Sequence, residues 1–358
     1  MKVLIRTSAE DITSLLVIEG LKAKGVHAIK WLGENCPKKQ TQTLSLCSKS
    51  TFEIVDNEYG LIEANNFDVV WNRRPQKPNL DNYLHQDDLK FAQKSWMDFY
   101  TATWYAHADD VFWVNTPESS LRANNKYLQL KLARNIGLKI PETLISNDPA
   151  AIKQFVLSQK NGAIYKSLVS EAWQSNTSQK ITRTVPITTL QLSNSEAIRK
   201  VPSIFQTEIK KKFEIRATFF GAHCIAIKLH SSLNELGRFD WRSIPISNLK
   251  IESHDLPLDI KEKCQLLMKK LGIVFGCFDL IISEDETYYF LEVNEMGQFI
   301  WIENLLPEVK MLDTFCEFLI AKKSNYSGNR EHPLVDANKI LLQPQFLDIR
   351  NQMVTQSK

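Results

Sequence analysis

The sequence predicts an α/β protein in which a parallel N-terminal unit is followed by α+β subdomains. Residues 3–5 form an apolar strand, residues 11–24 form a helix that ends at Gly25, and residues 27–31 form a second strand. A strand–helix–strand order of this kind indicates a parallel sheet. Two alternating apolar segments within residues 204–229 predict a β-hairpin instead. The length of 358 residues suits more than one subdomain.

Composition and charge are those of an ordinary soluble globular protein. The chain is 43% hydrophobic and 24% charged, and its net charge of +3 is too small to indicate a nucleic acid as partner. The six cysteines are scattered without a CxxC pair, which indicates free thiols in a reducing compartment. No segment approaches the roughly 20 apolar residues of a membrane span. We therefore expect a cytoplasmic protein that binds neither nucleic acid nor membrane.

The N-terminal domain is expected to span residues 1–115. A strand over residues 67–71 continues directly into Asn72-Arg-Arg-Pro75. Open α/β sheets bind ligands at such carboxyl ends, although a solvated loop is the other interpretation. An aromatic-rich helix over residues 88–107 is expected to face a core or an interface, and a strand over residues 111–114 ends the domain. No GxGxxG motif follows the first strand, so the domain lacks a dinucleotide fingerprint.

A central α+β subdomain is expected over residues 116–202, and a C-terminal subdomain over residues 203–322. The central subdomain contains an apolar strand with Lys166 near its centre, and the C-terminal subdomain contains the hairpin. Residues 323–358 are polar and weakly periodic. They predict a flexible tail with one docking segment near Ile340.

Two adjacent strands of the C-terminal subdomain carry a cluster of oxygen ligands. Side chains alternate along a strand, so within residues 288–294 Glu292 and Asn294 leave the backbone on the same side. The same alternation points Leu291 into a core. Asp279 begins the partner strand, which is joined through a short acidic turn. Two carboxylates and an amide oxygen suit Mg²⁺, the metal of nucleotide-dependent phosphoryl transfer.

Cationic side chains upstream of this cluster are candidates to bind ATP. Lys126 opens a predicted helix and Lys166 interrupts an apolar strand, so both are candidates to bind the ATP phosphates. For Lys166 the alternative is a lysine that faces solvent. Glu214 and Arg216 are two residues apart and share one face of a strand. They form either a weak surface pair or a functional pair. In the functional interpretation, Glu214 lies near the ribose or polar edge of the nucleotide and Arg216 on the transferring phosphoryl group.

Two further segments complete the candidate site. Glu208, Ile209 and Lys210 follow a strand, and there the backbone can pair with the edge of adenine while the aliphatic side chain packs on the ring. Asp240-Trp-Arg242 follows a loop. Arg242 is a candidate to hold a second anion, and Asp240 to orient an arginine or an incoming nucleophile. A structural ion pair is the alternative for this segment.

The ordered set of these motifs resembles the ATP-grasp ligases over roughly residues 1–322. The motifs are Asn124-Asn-Lys126, Lys166, Phe205-Gln-Thr-Glu-Ile-Lys210, Glu214-Ile-Arg216, Asp279 and Glu292-Val-Asn294. Within that superfamily the chain is most similar to the maturases of microviridin-type graspetides. This finer similarity is carried by Asn72-Arg-Arg, Ile140-Pro-Glu-Thr, Asp240-Trp-Arg and Leu291-Glu-Val-Asn-Glu-Met-Gly-Gln-Phe-Ile-Trp-Ile-Glu303.

The resemblance implies an ATP-grasp fold with an N-terminal Rossmann-like pre-ATP-grasp domain, and a ligase that uses ATP and Mg²⁺. Asp279, Glu292 and Asn294 would hold the metal against the ATP phosphates. An Asp or Glu side chain of a ribosomal precursor peptide would become an acyl phosphate. A Ser or Thr hydroxyl or a Lys amine of that peptide would then close an ω-ester or ω-amide ring. A leader segment of the peptide would dock near the central subdomain, and homodimers are common in the group.

The chain departs from the family pattern in two places. Many ATP-grasp enzymes cover the phosphates with a glycine-rich loop, but residues 170–178 contain no glycine. Residues 323–358 lie outside the shared pattern. Two other functions stay open: a ligase for a free amino acid or small carboxylate, and a nucleotide-binding regulator without ligase activity. Asp240-Trp-Arg242 favours a peptide acceptor, and the intact set of metal ligands and lysines argues against the regulator.

Overall fold

The computed structural model describes residues 1–80, 84–169, 172–174 and 179–346. Over these ranges the strands form five sheets, of which one is parallel and four are antiparallel. Most of the glycine-free segment 170–178 lies outside the described residues, as does the chain after residue 346. Within the described ranges, no helix combines the length and the hydrophobicity that crossing a bilayer requires.

A four-stranded parallel sheet forms the N-terminal unit, as the sequence predicts. The elements are β1 (Lys2–Thr7), α1 (Ile12–Ala23), β2 (His27–Leu32), β3 (Gln40–Leu46), β4 (Ser50–Asp56), β5 (Gly60–Glu63), β6 (Val69–Asn72), α2 (Gln86–Ala102), β7 (Phe112–Val114) and α3 (Pro117–Ala123). The parallel order is β2-β1-β6-β7, and β3-β4-β5 form a separate antiparallel sheet. Val3, Leu4 and Ile5 are all fully buried, because β1 is an inner strand that is covered on both faces.

The carboxyl end of β6 is buried at Asn72 and Arg73, so the solvated-loop interpretation is wrong for these two residues, whereas Arg74 is exposed. The Arg73 guanidinium donates to the backbone oxygens of Met296 and Gly297, the latter at 3.2 Å, and Arg73 has no exposed surface. Arg73 Nε also lies 3.4 Å from Asp11 Oδ2. These contacts tie the parallel sheet to the loop after the last strand of the C-terminal sheet.

The aromatic residues of α2 are divided between core and solvent. Tyr100 is buried, whereas Phe91 and the following Tyr105 are more than two-thirds exposed. The expected burial therefore holds for Tyr100, and the other two side chains form part of an open surface.

The central unit is an antiparallel sheet flanked by short helices. Its elements are α4 (Lys126–Asn135), β8 (Thr143–Ser146), α5 (Pro149–Ser158), β9 (Ala163–Ser167), β10 (Ala172–Gln174), β11 (Gln179–Ile181), β12 (Val185–Ile187), α6 (Ser195–Lys200) and β13 (Ser203–Thr207). The sheet order is β12-β9-β13-β8, and β10 pairs with β11 in a separate two-stranded sheet. Lys166 therefore lies on an inner strand of this sheet.

The C-terminal unit is a five-stranded antiparallel sheet with helices packed against it. Its elements are β14 (Lys211–Phe220), β15 (His223–Leu229), β16 (Ile251–His254), α7 (Leu258–Leu271), β17 (Phe275–Ser283), β18 (Tyr288–Asn294), α8 (Ile300–Leu305), α9 (Met311–Ala321) and α10 (Ala337–Leu341). The order is β16-β15-β14-β17-β18. The predicted hairpin (β14–β15) and the predicted pair of carboxylate-bearing strands (β17–β18) are both confirmed.

Residues 326–346 pack on the core and do not form a flexible tail. Tyr326 is 5% exposed and Ile340 is 7% exposed, and the backbone N–H groups of Ala222 and His223 donate to Tyr326 O at 2.9 and 2.8 Å. The expected docking near Ile340 is confirmed, and the expected flexibility is wrong over this range. The buried apolar residues of this segment join one core cluster but are few and stand among exposed polar residues, so the sequence pattern is weak. The domain boundaries themselves stay a prediction.

A buried ion cluster joins α1 to α9 and gives the first testable expectation. Lys24 Nζ lies 2.7 Å from Asp313 Oδ1 and 2.7 Å from Glu317 Oε1, and all three residues are buried. Lys24→Met would remove the shared cation, although Arg330 still pairs with Asp313. We expect the free energy of unfolding to fall by about 3 kcal/mol, measured by urea denaturation. Lys22→Met on the same helix is the exposed control, and an equal loss in both variants would contradict the account.

Candidate active site

A row of charged side chains crosses three strands of the C-terminal sheet. Arg216 on β14 lies opposite Asp279 on β17, and Asp279 lies opposite Glu292 on β18. Arg216 Nη1 donates to both carboxylate oxygens of Asp279, at 2.7 and 2.9 Å. Asn294 Nδ2 lies 3.1 Å from Asp279 Oδ2 and 3.3 Å from Glu292 Oε1. The predicted oxygen ligands are thus brought together, and their role in metal binding stays a prediction.

A β-bulge in β18 changes the direction of Leu291. Asp279 pairs with Glu292, but Leu280 pairs with Phe290, so Leu291 is the extra residue of the strand pair. As a result Phe290 is fully buried, whereas Leu291 is half-buried and lines the cavity described below. The expectation that Leu291 points into a core is wrong, because strict alternation does not hold across a bulge.

A lysine at the start of α4 neutralises Glu292. The Asn125 side chain accepts from Leu128 N at 2.9 Å and caps α4, which places Lys126 in the first turn, where its ammonium pairs with Glu292. Burial alone would raise the pKa of Glu292, but Lys126 and then Lys166 lower that pKa to about 2. Burial lowers the pKa of Lys166. Glu292 is therefore a carboxylate at neutral pH, as metal binding requires.

The donor set of this cluster fits a hard divalent cation. Burial raises the pKa of Asp279, and the neighbouring Arg216 acts in the opposite direction. Asn294 donates to both carboxylates here, and a turn of its amide about χ2 would present Oδ1 to a cation instead. Over the described ranges no three His, Cys, Asp or Glu side chains form a metal-binding group. The candidate set instead consists of two carboxylates and one amide, the oxygen-rich type that Mg²⁺ accepts.

The row lies in a cavity of about 1350 Å³ between the central and C-terminal sheets. Nine of the twelve predicted site residues line this cavity: Lys126, Lys166, Glu214, Arg216, Asp240, Arg242, Asp279, Glu292 and Asn294. Glu208, Ile209 and Lys210 lie outside its lining and connect β13 to β14. Glu208 Oε1 accepts from Arg238 Nη2 at 3.0 Å. Recognition of adenine at this connection stays a prediction.

Glu214 is held by groups of its own subdomain. Its Oε1 accepts from Lys211 Nζ at 2.5 Å and from Ser231 Oγ at 2.7 Å. Glu214 is 8% exposed and Arg216 is 7% exposed, and Arg216 pairs with Asp279. A weak surface pair between Glu214 and Arg216 is therefore excluded, while contact of Glu214 with a ribose stays a prediction.

Asp240 forms an ion pair with Arg242, which fits both the structural ion pair and the predicted role of orienting an arginine, so the functional role stays a prediction. Its carboxylate accepts from Arg242 Nε at 2.8 Å and from Arg242 Nη2 at 2.6 Å, and also from the backbone N–H of Thr184 at 3.3 Å. Burial would raise the pKa of Asp240, but the bonds from Arg242 lower it. Asp240 is buried, whereas the Arg242 side chain is 48% exposed. The pair thus presents a fixed, accessible guanidinium to the cavity.

Two residues of the cavity were not assigned roles from the sequence. Glu295 is 3% exposed and accepts from Asn124 Nδ2 at 2.6 Å, and burial raises its pKa. Gln206 Oε1 is buried without a hydrogen-bond partner among the described residues. Both side chains line the cavity. Strand alternation gives a signal for Gln206. Ile204 of β13 lies opposite Lys166 of β9, and Gln206, two residues after Ile204, therefore shares the face of the sheet that carries Lys166.

Neither a protein-family model nor a curated protein matches the sequence. Solved structures do match it. A RiPP-associated ATP-grasp ligase of Chryseobacterium gregarium, in complex with ADP and a leader and core peptide, superposes with a TM-score of 0.81 at 24% identity, over 93% of this chain and 99% of that chain. Macrocyclase MdnC of Microcystis aeruginosa, bound with precursor peptide MdnA, superposes with a TM-score of 0.77 at 28% identity, over 90% of this chain and 100% of that chain. Macrocyclase MdnB of the same organism superposes with a TM-score of 0.74 at 26% identity, over 89% of this chain and 99% of that chain.

The fold is the ATP-grasp fold, as the resemblance implies. Among proteins of this fold, the chain is similar to the RiPP-associated ATP-grasp ligases and macrocyclases. The N-terminal unit contains a parallel sheet. Its assignment as a Rossmann-like domain stays a prediction.

Proposed function

We propose that this protein is an ATP-grasp macrocyclase that joins Asp or Glu side chains of a ribosomal precursor peptide to Ser or Thr hydroxyls or Lys amines. The observation that carries this proposal is a single cavity that contains the Arg216–Asp279–Glu292 row and the Asp240-held Arg242. The similarity to MdnC, which is bound with its precursor peptide, supports a peptide as the acceptor. The similarity to a ligase in complex with ADP supports ATP as the phosphoryl donor.

The residues around the row supply what ATP binding needs. Lys126 and Lys166 place two cations beside Glu292, where they can contact anionic phosphate oxygens. Asp279, Glu292 and Asn294 would hold Mg²⁺, which supplies charge neutralisation at the phosphates when bound.

The reaction has two steps, and each balances without another reactant. A carboxylate oxygen of the peptide attacks the γ-phosphorus, the bond to the bridging oxygen breaks, and ADP leaves with the electron pair. A hydroxyl or amine then attacks the acyl carbon, loses its proton, and displaces phosphate. Activation is needed because a carboxylate anion repels nucleophiles. In this proposal Arg216, which lines the cavity, stabilises the charge on the phosphoryl oxygens.

The cavity has room for an acceptor as well as a nucleotide. Pockets for small molecules usually enclose about 300–1,000 Å³, and this cavity encloses about 1350 Å³. Arg242 lines the same cavity, and its guanidinium is held there by the carboxylate of Asp240. We assign it to the peptide carboxylate or to the acyl phosphate made from it, since its planar guanidinium matches both groups.

Replacement of Arg242 tests this assignment. Arg242→Ala is expected to lower kcat/KM for the peptide by about 10²-fold, because a charged contact to the reacting group is lost. The dissociation constant of ADP, measured by calorimetry, should change less than about twofold, because Lys126 and Lys166 remain. Arg122→Ala on α3 is an exposed control. An equal loss of nucleotide binding and ring formation would instead place Arg242 on ATP.

Mass spectrometry tests the function itself. The enzyme is incubated with Mg·ATP and with candidate precursor peptides, chosen from short open reading frames beside its gene that carry a repeated Thr/Ser/Lys and Asp/Glu core, and the mass of the true precursor should fall by one water for each ring. ADP formed without any mass change, and only when free amino acids are added, would favour the second candidate, a ligase of small carboxylates. That alternative uses the same ATP residues, so only the acceptor separates the two.

We also propose a cytoplasmic location and a homodimer. All six cysteines are unpaired, which suits a reducing compartment. The homodimer rests on the family resemblance alone, and light scattering of the purified protein measures it directly.

A further inference from the structure

The segment after α9 contributes to the wall of the cavity. Asn338 and Leu341 of α10, together with the adjoining Leu342, line the cavity. The sequence resemblance to known maturases ends near residue 322, before this segment. The wall is thus built in part by residues that follow the motifs carrying the resemblance.

Buried polar contacts hold this segment in place. Glu303 of α8 is fully buried, and its carboxylate accepts from the backbone N–H of Ala337 and of Leu312, each at 2.9 Å. Asp336 Oδ2 lies 2.6 Å from Lys310 Nζ. These bonds fix the start of α10 against α8 and α9, so the wall is a rigid element rather than a mobile strap.

The wall lies on the acceptor side of the cavity. Trp241, between Asp240 and Arg242, stacks on Trp301 of α8 with ring centroids 5.2 Å apart. Trp301 and Glu303 both belong to α8. The same helix therefore carries the ring that stacks on Trp241 and the carboxylate that holds the start of α10.

The chemistry of the wall indicates what it contacts. Leu305, Leu341 and Leu342 line the same cavity as Trp241 and Trp301. Asn304 Oδ1 is buried without a hydrogen-bond partner among the described residues, and Asn304 lines the cavity too. A buried acceptor without a partner is costly, and the N–H of a bound peptide would satisfy it.

We infer that α10 and Leu342 form a specificity wall, which packs against an apolar side chain of the core peptide next to the carboxylate held by Arg242. This inference rests on the proposed function, since it names the part of the substrate that the same cavity recognises. Leu342, which is 58% exposed, is the accessible member of the wall.

Chemical labelling of position 342 tests the wall without removing it. Leu342→Cys is made in a Cys47→Ser background, because Cys47 is the exposed native cysteine, and is labelled with pyrene maleimide. Leu334→Cys is the matched control, since Leu334 is 49% exposed on the same segment and does not line the cavity. Ring formation is followed by mass spectrometry in the candidate peptide that the unmodified enzyme cyclises, and nucleotide binding by the fluorescence of mant-ADP.

The labelled Leu342→Cys protein should form rings at least about tenfold more slowly than its unlabelled form, and bind mant-ADP within about twofold. The labelled Leu334→Cys protein should be unaffected. Equal ring formation by both labelled proteins overturns the wall and leaves the proposed function standing. An equal loss of mant-ADP binding also overturns it, because position 342 would then face the nucleotide. Absence of ring formation by the unmodified enzyme would overturn the proposed function and the wall together.

Discussion

Glu292→Gln should lower ring formation by about 10³-fold while leaving the fold intact. The substitution keeps the shape of the side chain but removes one of the two anionic oxygen ligands proposed for Mg²⁺. It also frees Lys126 from its ion pair. Turnover is measured at saturating peptide over a range of Mg²⁺ concentrations, and stability by thermal unfolding. Asn294→Ala should have an effect of the same kind.

Glu284→Gln, in the exposed turn between β17 and β18, is the matched control. It removes the same charge from the same hairpin at a distance from the cavity, and should retain normal turnover. If Glu292→Gln ligates at the normal rate, the metal assignment is wrong. If extra Mg²⁺ restores its activity, the role of the carboxylate in holding the metal is supported.

Arg216 should show a second large effect, in which stability and catalysis can be separated. Arg216→Met leaves the half-buried carboxylate of Asp279 without its cation, so the free energy of unfolding should fall by about 3 kcal/mol. Burial alone would lower the pKa of Arg216, but Asp279 raises it, so the guanidinium is charged at neutral pH. Turnover should fall by about 10³-fold, because a guanidinium at the phosphoryl group is lost.

Arg216→Lys distinguishes the two losses. It keeps a cation beside Asp279 and should restore most of the stability, measured by urea denaturation. A lysine cannot donate to both Asp279 oxygens and to Gln298 O as Arg216 does, so turnover should stay reduced by about 10²-fold. Full activity in Arg216→Lys would show that Arg216 is a structural partner of Asp279 and no more.

Local patterns account for the parts of the site that the sequence predicts. The strand period places Glu292 and Asn294 on one face, and the short turn brings Asp279 alongside. The pairing of Arg216 with Asp279 depends on the register between β14 and β17, two strands about 60 residues apart, which no local pattern determines. The bulge that turns Leu291 into the cavity is likewise a property of the strand pair.

Other parts were missed because their contacts are made by backbone groups or by isolated residues. Arg73 binds carbonyl oxygens of Met296 and Gly297, and a backbone acceptor leaves no trace in the sequence. The burial of residues 326–346 depends on few apolar residues. Ala337, Ile340 and Leu341 have the spacing of a helix but cover only about one turn, and Tyr326 stands apart from them.

The fate of the carboxylate oxygen is the most direct test of the central claim, that this cavity activates a peptide carboxylate by phosphorylation. The Asp and Glu side chains of the precursor peptide are labelled with heavy oxygen, and the phosphate released during ring formation is analysed by mass spectrometry. The account predicts one heavy oxygen in the phosphate for each ring closed, because the oxygen that attacks ATP leaves with the phosphorus. Rings formed with unlabelled phosphate would contradict it.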